Sequence, residues 1–362
     1  MTRWIASDAE LSAALSAPDA GPVALDTEFI REKTYYAQLA LVQVAVGDSI
    51  LLIDPLPLQG ADALLRMLTA PALKVMHSPS EDLQALKRRY GVLPRPLFDT
   101  QVAAALLGLG AGLGYQALIE KLLGIRLEKG ETRSDWLRRP LSESQLTYAA
   151  DDVRHLAAAH AQLDLRLRER GRREWLDQEC ERQLQVAEDE GIDPLPHLSA
   201  RSAQRMRAEQ QLRLRRLLLW REQQAQRSDK PKSWVLDNEL VVELAVASYA
   251  QRADFERDLD ARPRAPRRLR DELWDLLSRP IEAEERDLPL AEAPDPRWRE
   301  PLKRMQESVA AVAAAQELPE GLLAPRRHLE TLISRGQWPA AFEGWRQSLL
   351  EPVLMPLLPA RH

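Results

Sequence analysis

The sequence predicts an α/β domain up to about Arg170 and two all-helical modules after it, on three observations. Short apolar runs bounded by turn residues cluster before Asp99, helical periodicity fills the gaps between them, and strand signals vanish beyond Gly171. A chain of 362 residues and 41.0 kDa also suits two or three domains, at roughly 100–200 residues each.

In chain order, Val23–Phe29 reads as a strand, with Pro18, Gly21 and Pro22 as turn residues before it. Gln38–Val46 is almost continuously apolar, and Gly47-Asp48-Ser49 turns it back into Ile50–Asp54, a hairpin signal. Leu73–His77 and Leu97–Asp99 are further short strands. Helical spacing covers Ala61–Leu68, Asp82–Arg89, Gln101–Leu107 and Tyr115–Leu123. Early pairing followed by strand–helix alternation predicts a mixed sheet with flanking helices. Gly108, Gly110, Gly112 and Gly114 fit no phosphate-loop spacing and read as a helix–helix connection. Ser142 and Gln145 form a capping-box pattern that starts a long helix running to about Arg170. Glu188–Asp193 with Pro194 and Pro196 reads as a linker, and Pro280–Pro296 as a second one. The expected domains are 1–172, 200–280 and 290–362.

Composition excludes several classes. Hydrophobic content of 45% and charged content of 29% are globular values. The net charge of −5 is spread evenly over both halves, so bulk charge neither announces nucleic acid nor excludes it. The one cysteine, Cys180, rules out a disulfide framework or a thiolate metal cluster, and it reads as inert. No apolar run reaches the roughly 18 residues of a membrane span, and no leader is visible at Met1. A soluble, cytoplasmic protein is the expectation.

The chemistry concentrates in acids. On a strand Asp26 and Glu28 share a face, with Val23, Leu25, Thr27 and Phe29 on the other. Paired carboxylates on an apolar strand repel each other, so a cation should offset them: an Arg or Lys partner, or a divalent ion held by oxygen ligands. Asp82 follows Leu73–His77 in a first helical turn, where the helix dipole alone would favour it. Tyr148 and Asp152, at i and i+4, share a helix face, whereas Asp151 points elsewhere.

This order, DxE on a strand, Asp on a later strand-to-helix step, then YxxxD on a helix, resembles the DEDD superfamily of 3′→5′ exonucleases. Tyr148 marks its tyrosine branch, because the histidine branch would carry His where Thr147 stands. Thr34-Tyr35-Tyr36-Ala37-Gln38-Leu39, His77-Ser78-Pro79-Ser80-Glu81-Asp82-Leu83, Phe98-Asp99-Thr100-Gln101 and Ser134–Leu141 extend the likeness to the bacterial ribonuclease D family. Leu214–Glu222 with Pro231–Leu244 resembles its helicase-and-RNase-D C-terminal (HRDC) module. Leu318–Leu332 resembles a second, degenerate one.

The resemblance implies a ribonuclease H-like sheet and two-metal hydrolysis with Mg²⁺ or Mn²⁺, releasing 5′-mononucleotides from RNA 3′ ends. It implies that Asp26 bridges two ions, that Glu28 and Asp152 complete the first site, that Asp82 serves the second, and that Tyr148 holds the attacking water. Transfer-RNA precursors are the implied substrates, with no obligate protein partner and a monomer expected. Thr27, His77, Lys129, Arg133 and Arg138 are candidate nucleic-acid contacts. The seven arginines of Arg201–Arg221 are either a charged outer face or an RNA-tracking surface. A DNA exonuclease using the same acids, or a silent RNA-binding scaffold, are the rival readings.

Overall fold

Strand alternation and helix periodicity build a six-stranded mixed sheet in the first part of the chain. The computed structural model describes residues 1–15, 21–128, 130–131, 134–189, 191–262, 264–293 and 295–359. The strands are β1 (Thr2–Ile5), β2 (Val23–Ile30), β3 (Gln38–Val46), β4 (Ser49–Ile53), β5 (Lys74–Met76) and β6 (Leu97–Asp99), in spatial order β1-β4-β3-β2-β5-β6. β2, β3 and β4 form an antiparallel meander, while β1 joins β4, and β5 joins β2 and β6, in parallel. β2 therefore sits between two partners and is buried over Val23–Leu25. Its pairing with β3 slips between Glu28 and Phe29, where a bulge re-aims the strand.

The helices around the sheet are α1 (Asp8–Ala14), α2 (Asp62–Thr69), α3 (Ser80–Tyr90), α4 (Thr100–Leu106), α5 (Tyr115–Leu123), α6 (Glu143–Arg154), α7 (Leu156–Glu169) and α8 (Arg173–Glu188). The Ser142–Gln145 capping box is present and starts α6. Within residues 1–189 two features differ from the sequence reading. β1 was not anticipated, because Thr2-Arg3-Trp4-Ile5 buries only Ile5 and shows no alternation. The single long helix expected from Ser142 to Arg170 is broken at His155, with neither proline nor glycine there to signal the break.

The described chain divides into two compact units. The first comprises Met1–Ile30, Ala37–Asp189 and Arg297–His362. Its last part holds α15 (Arg299–Ala315), α16 (Glu320–Leu323), α17 (Arg326–Arg335) and α18 (Trp345–Leu354), whose buried faces join the same hydrophobic core as the sheet. Cys180 on α8 is buried there, and burial pushes its thiol up to about 12, in keeping with an inert residue.

The second unit comprises Arg31–Tyr36 and Glu190–Pro296. Its helices are α9 (Ala208–Ser228), α10 (Lys232–Val235), α11 (Asn238–Val246), α12 (Arg252–Asp260), α13 (Arg270–Ser278) and α14 (Ala283–Arg286). They close over Leu217, Leu244, Phe255 and Leu259. Much of the arginine run is spent inside this unit. Arg216 is buried against Glu285 and the carbonyls of Arg279 and Pro280, Arg215 holds the Pro194 carbonyl, and Arg221 holds Leu236 and Asn238. Those three side chains brace helix ends and do not form a free basic surface.

Candidate active site

Strand geometry and helix geometry converge on one cluster of acids. Asp26 and Glu28 project from β2, Asp152 comes from α6, and one carboxylate oxygen of each lies within 4.8 Å of the others. All three are half-buried. Asp82, in the first turn of α3, borders the trio: it is buried and raises the charge cost on Asp26 and Glu28. The Thr27 hydroxyl donates to Asp82 Oδ1 at 2.5 Å. Thr27, expected beside the nucleic acid, is buried with its hydroxyl turned to Asp82. Tyr148 sits one turn before Asp152 on α6 and hydrogen-bonds its carboxylate. Gly130 lies against Tyr148, so closely that a Cβ at that position would overlap the ring.

The charge state follows from burial first and mutual repulsion second. Burial, then Asp82, Asp152 and Glu28, hold Asp26 well above the usual carboxylate range. Burial, then Asp152 and Asp82, push Glu28 up to about 9. Burial raises Asp82 to about 6, against the pull of Thr27. Burial and then Asp151 raise Asp152 to about 7. Burial, followed by the charges of Asp152, Glu28 and Asp26, raises the Tyr148 phenol well above its ordinary value, so it stays protonated. Among the described residues, the charges that chiefly act on the four acids are all negative. Of the two sequence alternatives, an Arg or Lys partner is not found among the described residues. An oxygen-only donor set with unbalanced negative charge suits divalent cations such as Mg²⁺ or Mn²⁺.

A prediction with a definite sign follows. A carboxylate whose folded pKa is raised favours the folded state at low pH and disfavours it as pH climbs through the folded value. For Glu28 that window runs from 4.5 to about 9, for Asp152 from 3.8 to about 7 and for Asp82 from 3.8 to about 6. Chelator-treated protein should therefore lose thermal stability between about pH 5.5 and 8, and Mg²⁺ should restore it by binding the ionised cluster. Differential scanning fluorimetry at both pH values should give the larger Mg²⁺-induced rise in Tm at the higher pH; an equal rise at both would contradict this electrostatic picture.

Other expected contacts are placed as follows. His77 Nδ1 lies 2.9 Å from Thr100 Oγ1, and its ring meets Tyr115 edge-on at 5.7 Å. Arg138 is exposed. Lys129 and Arg133 lie outside the described residues. The neighbouring Arg139 is structural, gripping Asp54 through two nitrogens at 2.7 and 2.8 Å.

Two residues at the site were missed. Gln43, fully buried and register-paired with Asp26, donates from Nε2 to Asp26 Oδ2 at 3.4 Å. Its signal was available: it is the single polar interruption of the apolar run Leu39–Val46. Tyr115 donates to the Asp151 carbonyl at 2.9 Å, and Asp152 and Asp26 act electrostatically on it. No spacing in the sequence marks it.

Comparison with known proteins bears on the family. A 3′-5′ exonuclease family model matches residues 2–168. Ribonuclease D of Xanthomonas oryzae pv. oryzae is 51% identical over 362 residues, covering 99% of both chains. Ribonuclease D of Pseudomonas paraeruginosa is 35% identical over 98% of this chain and 96% of its own. The crystal structure of Escherichia coli RNase D, described as an exoribonuclease involved in structured RNA processing, superposes with a TM-score of 0.86 at 29% identity. It covers 99% of this chain and 98% of its own.

Proposed function

As the chain belongs to the ribonuclease D family of 3′→5′ exoribonucleases, we propose that Asp26, Glu28, Asp82 and Asp152 form its hydrolytic centre and that it trims transfer-RNA precursors from the 3′ end. The observation that carries the site assignment is the meeting of Asp26, Glu28 and Asp152 with no Arg or Lys among the described residues to balance them. Two divalent cations, when bound, would supply the charge that activates water and stabilises the leaving oxygen of an in-line displacement. Asp26, Glu28 and Asp152 would hold them from β2 and α6, and Asp82 would contribute the carboxylate oxygen that Thr27 leaves free.

Tyr148 performs a separate task. Its phenol is protonated at neutral pH, and a phenol both donates and accepts. It orients the attacking water beside Asp152, one turn away on α6, while Gly130 backs the ring. The water oxygen forms the new bond to phosphorus, the ribose 3′ oxygen of the shortened RNA leaves, and a 5′-mononucleotide departs.

In this proposal residues 1–172 hold the chemistry, and HRDC-like regions at 200–280 and 290–362 position structured RNA. The protein acts as a monomer in the cytoplasm without an obligate protein partner. No helix among the described residues is long and apolar enough to cross a membrane.

Digestion of a 3′-extended transfer RNA with Mg²⁺, Mn²⁺ or chelator tests the reading. Mononucleotides should leave the 3′ end only when metal is present, and a matched DNA strand should be degraded more slowly. Equal degradation of DNA would favour the DNA-exonuclease alternative. RNA binding without any metal-dependent release would favour the scaffold.

A further inference from the structure

The helix that carries Tyr148 and Asp152 stops at His155, and α7 starts again at Leu156. With no proline or glycine at that point, such an interruption needs a side chain or water inserted into the ladder of i→i−4 bonds. The inserted group is the Tyr115 phenol. In an unbroken α-helix the His155 N–H would donate to the Asp151 carbonyl. That carbonyl accepts instead from the Tyr115 hydroxyl, at 2.9 Å. The His155 N–H is shared between the Val153 carbonyl and the Tyr115 oxygen. One hydroxyl thus stands in the gap of the ladder, donating to its carbonyl side and accepting from its N–H side.

The ring is held in place for this. Tyr115 opens α5 and meets the His77 ring edge-on, with centroids 5.7 Å apart. His77 is fixed in turn by Thr100 Oγ1, 2.9 Å from its Nδ1, and the buried Thr100 hydroxyl donates to the Met76 carbonyl at 3.1 Å. Burial keeps the Tyr115 phenol protonated, and the charges of Asp152 and Asp26 act in the same direction. The phenol therefore borders the acids, yet its single proton is committed to the Asp151 carbonyl and is not free to hold water or substrate.

We propose that Tyr115 is a positioning residue for hydrolysis: spliced into the break after α6, it fixes the turn that presents Asp152 to Asp26 and Glu28. Asp152 lies between the two backbone groups that the phenol joins. Without the hydroxyl those groups either go unpaired or close on each other, and closure straightens α6 into α7 at the expense of the Asp152 carboxylate's placement. Support of a metal-holding group by its surroundings is commonly worth about 10- to 100-fold in affinity or rate. The inference rests on the assignment of Asp152 to the hydrolytic centre made above.

Two variants of the full chain separate the hydroxyl from the ring. Tyr115→Phe removes the hydroxyl and keeps the ring, whereas Tyr115→Leu removes both. Each is assayed for kcat and KM on a short single-stranded oligoribonucleotide, and for Mn²⁺ affinity and stoichiometry by calorimetry without RNA. Stoichiometry reports the folded fraction and affinity reports the site, so partial unfolding and a displaced carboxylate read differently.

Tyr115→Phe should lower kcat and weaken Mn²⁺ binding, each by about 10-fold, with KM and stoichiometry unchanged. Tyr115→Leu should lose at least as much. Wild-type kcat and affinity in Tyr115→Phe, with losses only in Tyr115→Leu, would overturn the proposal in favour of ring packing. Reduced stoichiometry at wild-type affinity would overturn it in favour of a general loosening of the fold, and a rise in KM alone in favour of a substrate contact. Asp152→Asn is run alongside. Inactivity there, combined with unaffected Tyr115→Phe, sinks only the positioning role, whereas full activity there sinks the site assignment itself.

Discussion

Asp26→Asn is expected to lower kcat on RNA by at least about 10²- to 10³-fold, the scale on which losing a single group that stabilises transition-state charge acts. The substitution preserves volume and removes one charge from a cluster whose other members repel it. Asparagine offers a neutral oxygen where aspartate would offer an anionic one, so cation binding should weaken together with kcat. Without metal, the same change should raise Tm, because desolvation of the Asp26 carboxylate and its repulsion by Asp82, Asp152 and Glu28 disappear. Activity down and metal-free stability up is an unusual pairing, and misfolding does not produce it.

Asp151→Asn is the natural comparison. It removes a charge from the adjacent residue of α6, whose carboxylate is paired with Arg154 at 2.7 Å and is not one of the clustered ligands, acting on Asp152 only through space. Turnover there should stay close to that of the parent. Steady-state digestion of a labelled RNA, with a melting curve in chelator, measures both quantities. Full activity in Asp26→Asn would remove this residue from the site.

The two local pairs were legible because they depend on periodicity, whereas the convergence of the acids was an expectation of the family resemblance alone. A repeat of two sets Asp26 beside Glu28 on β2, and a repeat near four sets Tyr148 beside Asp152 on α6. The same rule placed Thr27 on the opposite face, but it does not foresee that the Thr27 hydroxyl reaches Asp82 of α3. Features fixed by a partner rather than by a period were not legible. β1 exists because β4 offers an edge to pair with, not because Thr2–Ile5 alternates. The arginines of α9 read as a charge run until their acceptors were visible, and those acceptors are carbonyls at the ends of other segments and a glutamate far along the chain.

The return of residues 297–362 to the first unit is another such partner effect, and it carries the second large prediction. Arg346→Met should cost about 3 kcal/mol or more, because it strips a buried acid of its main counter-charge. Glu179 on α8 is buried and receives both guanidinium nitrogens of Arg346, the Trp345 Nε1 at 2.8 Å and Arg182 at 3.2 Å. Arg346 also caps the Leu322 carbonyl at 2.8 Å, and Trp345 stacks on Trp175 with centroids 4.7 Å apart.

Removing one partner leaves the other charged in an apolar seam, whereas removing both leaves only a packing defect. The double variant Glu179→Leu with Arg346→Met should accordingly be more stable than Arg346→Met alone, a reversal that independent surface residues would not give. Urea denaturation of the parent and the two variants measures it. A wild-type midpoint in Arg346→Met would mean that α18 contributes little to the first unit, and that 297–362 is a separable module of the kind the sequence suggested. A large loss rescued by the second substitution would instead make α15 to α18 part of the exonuclease core, so that truncation before Arg297 should yield protein unable to hold the β2 acids in place.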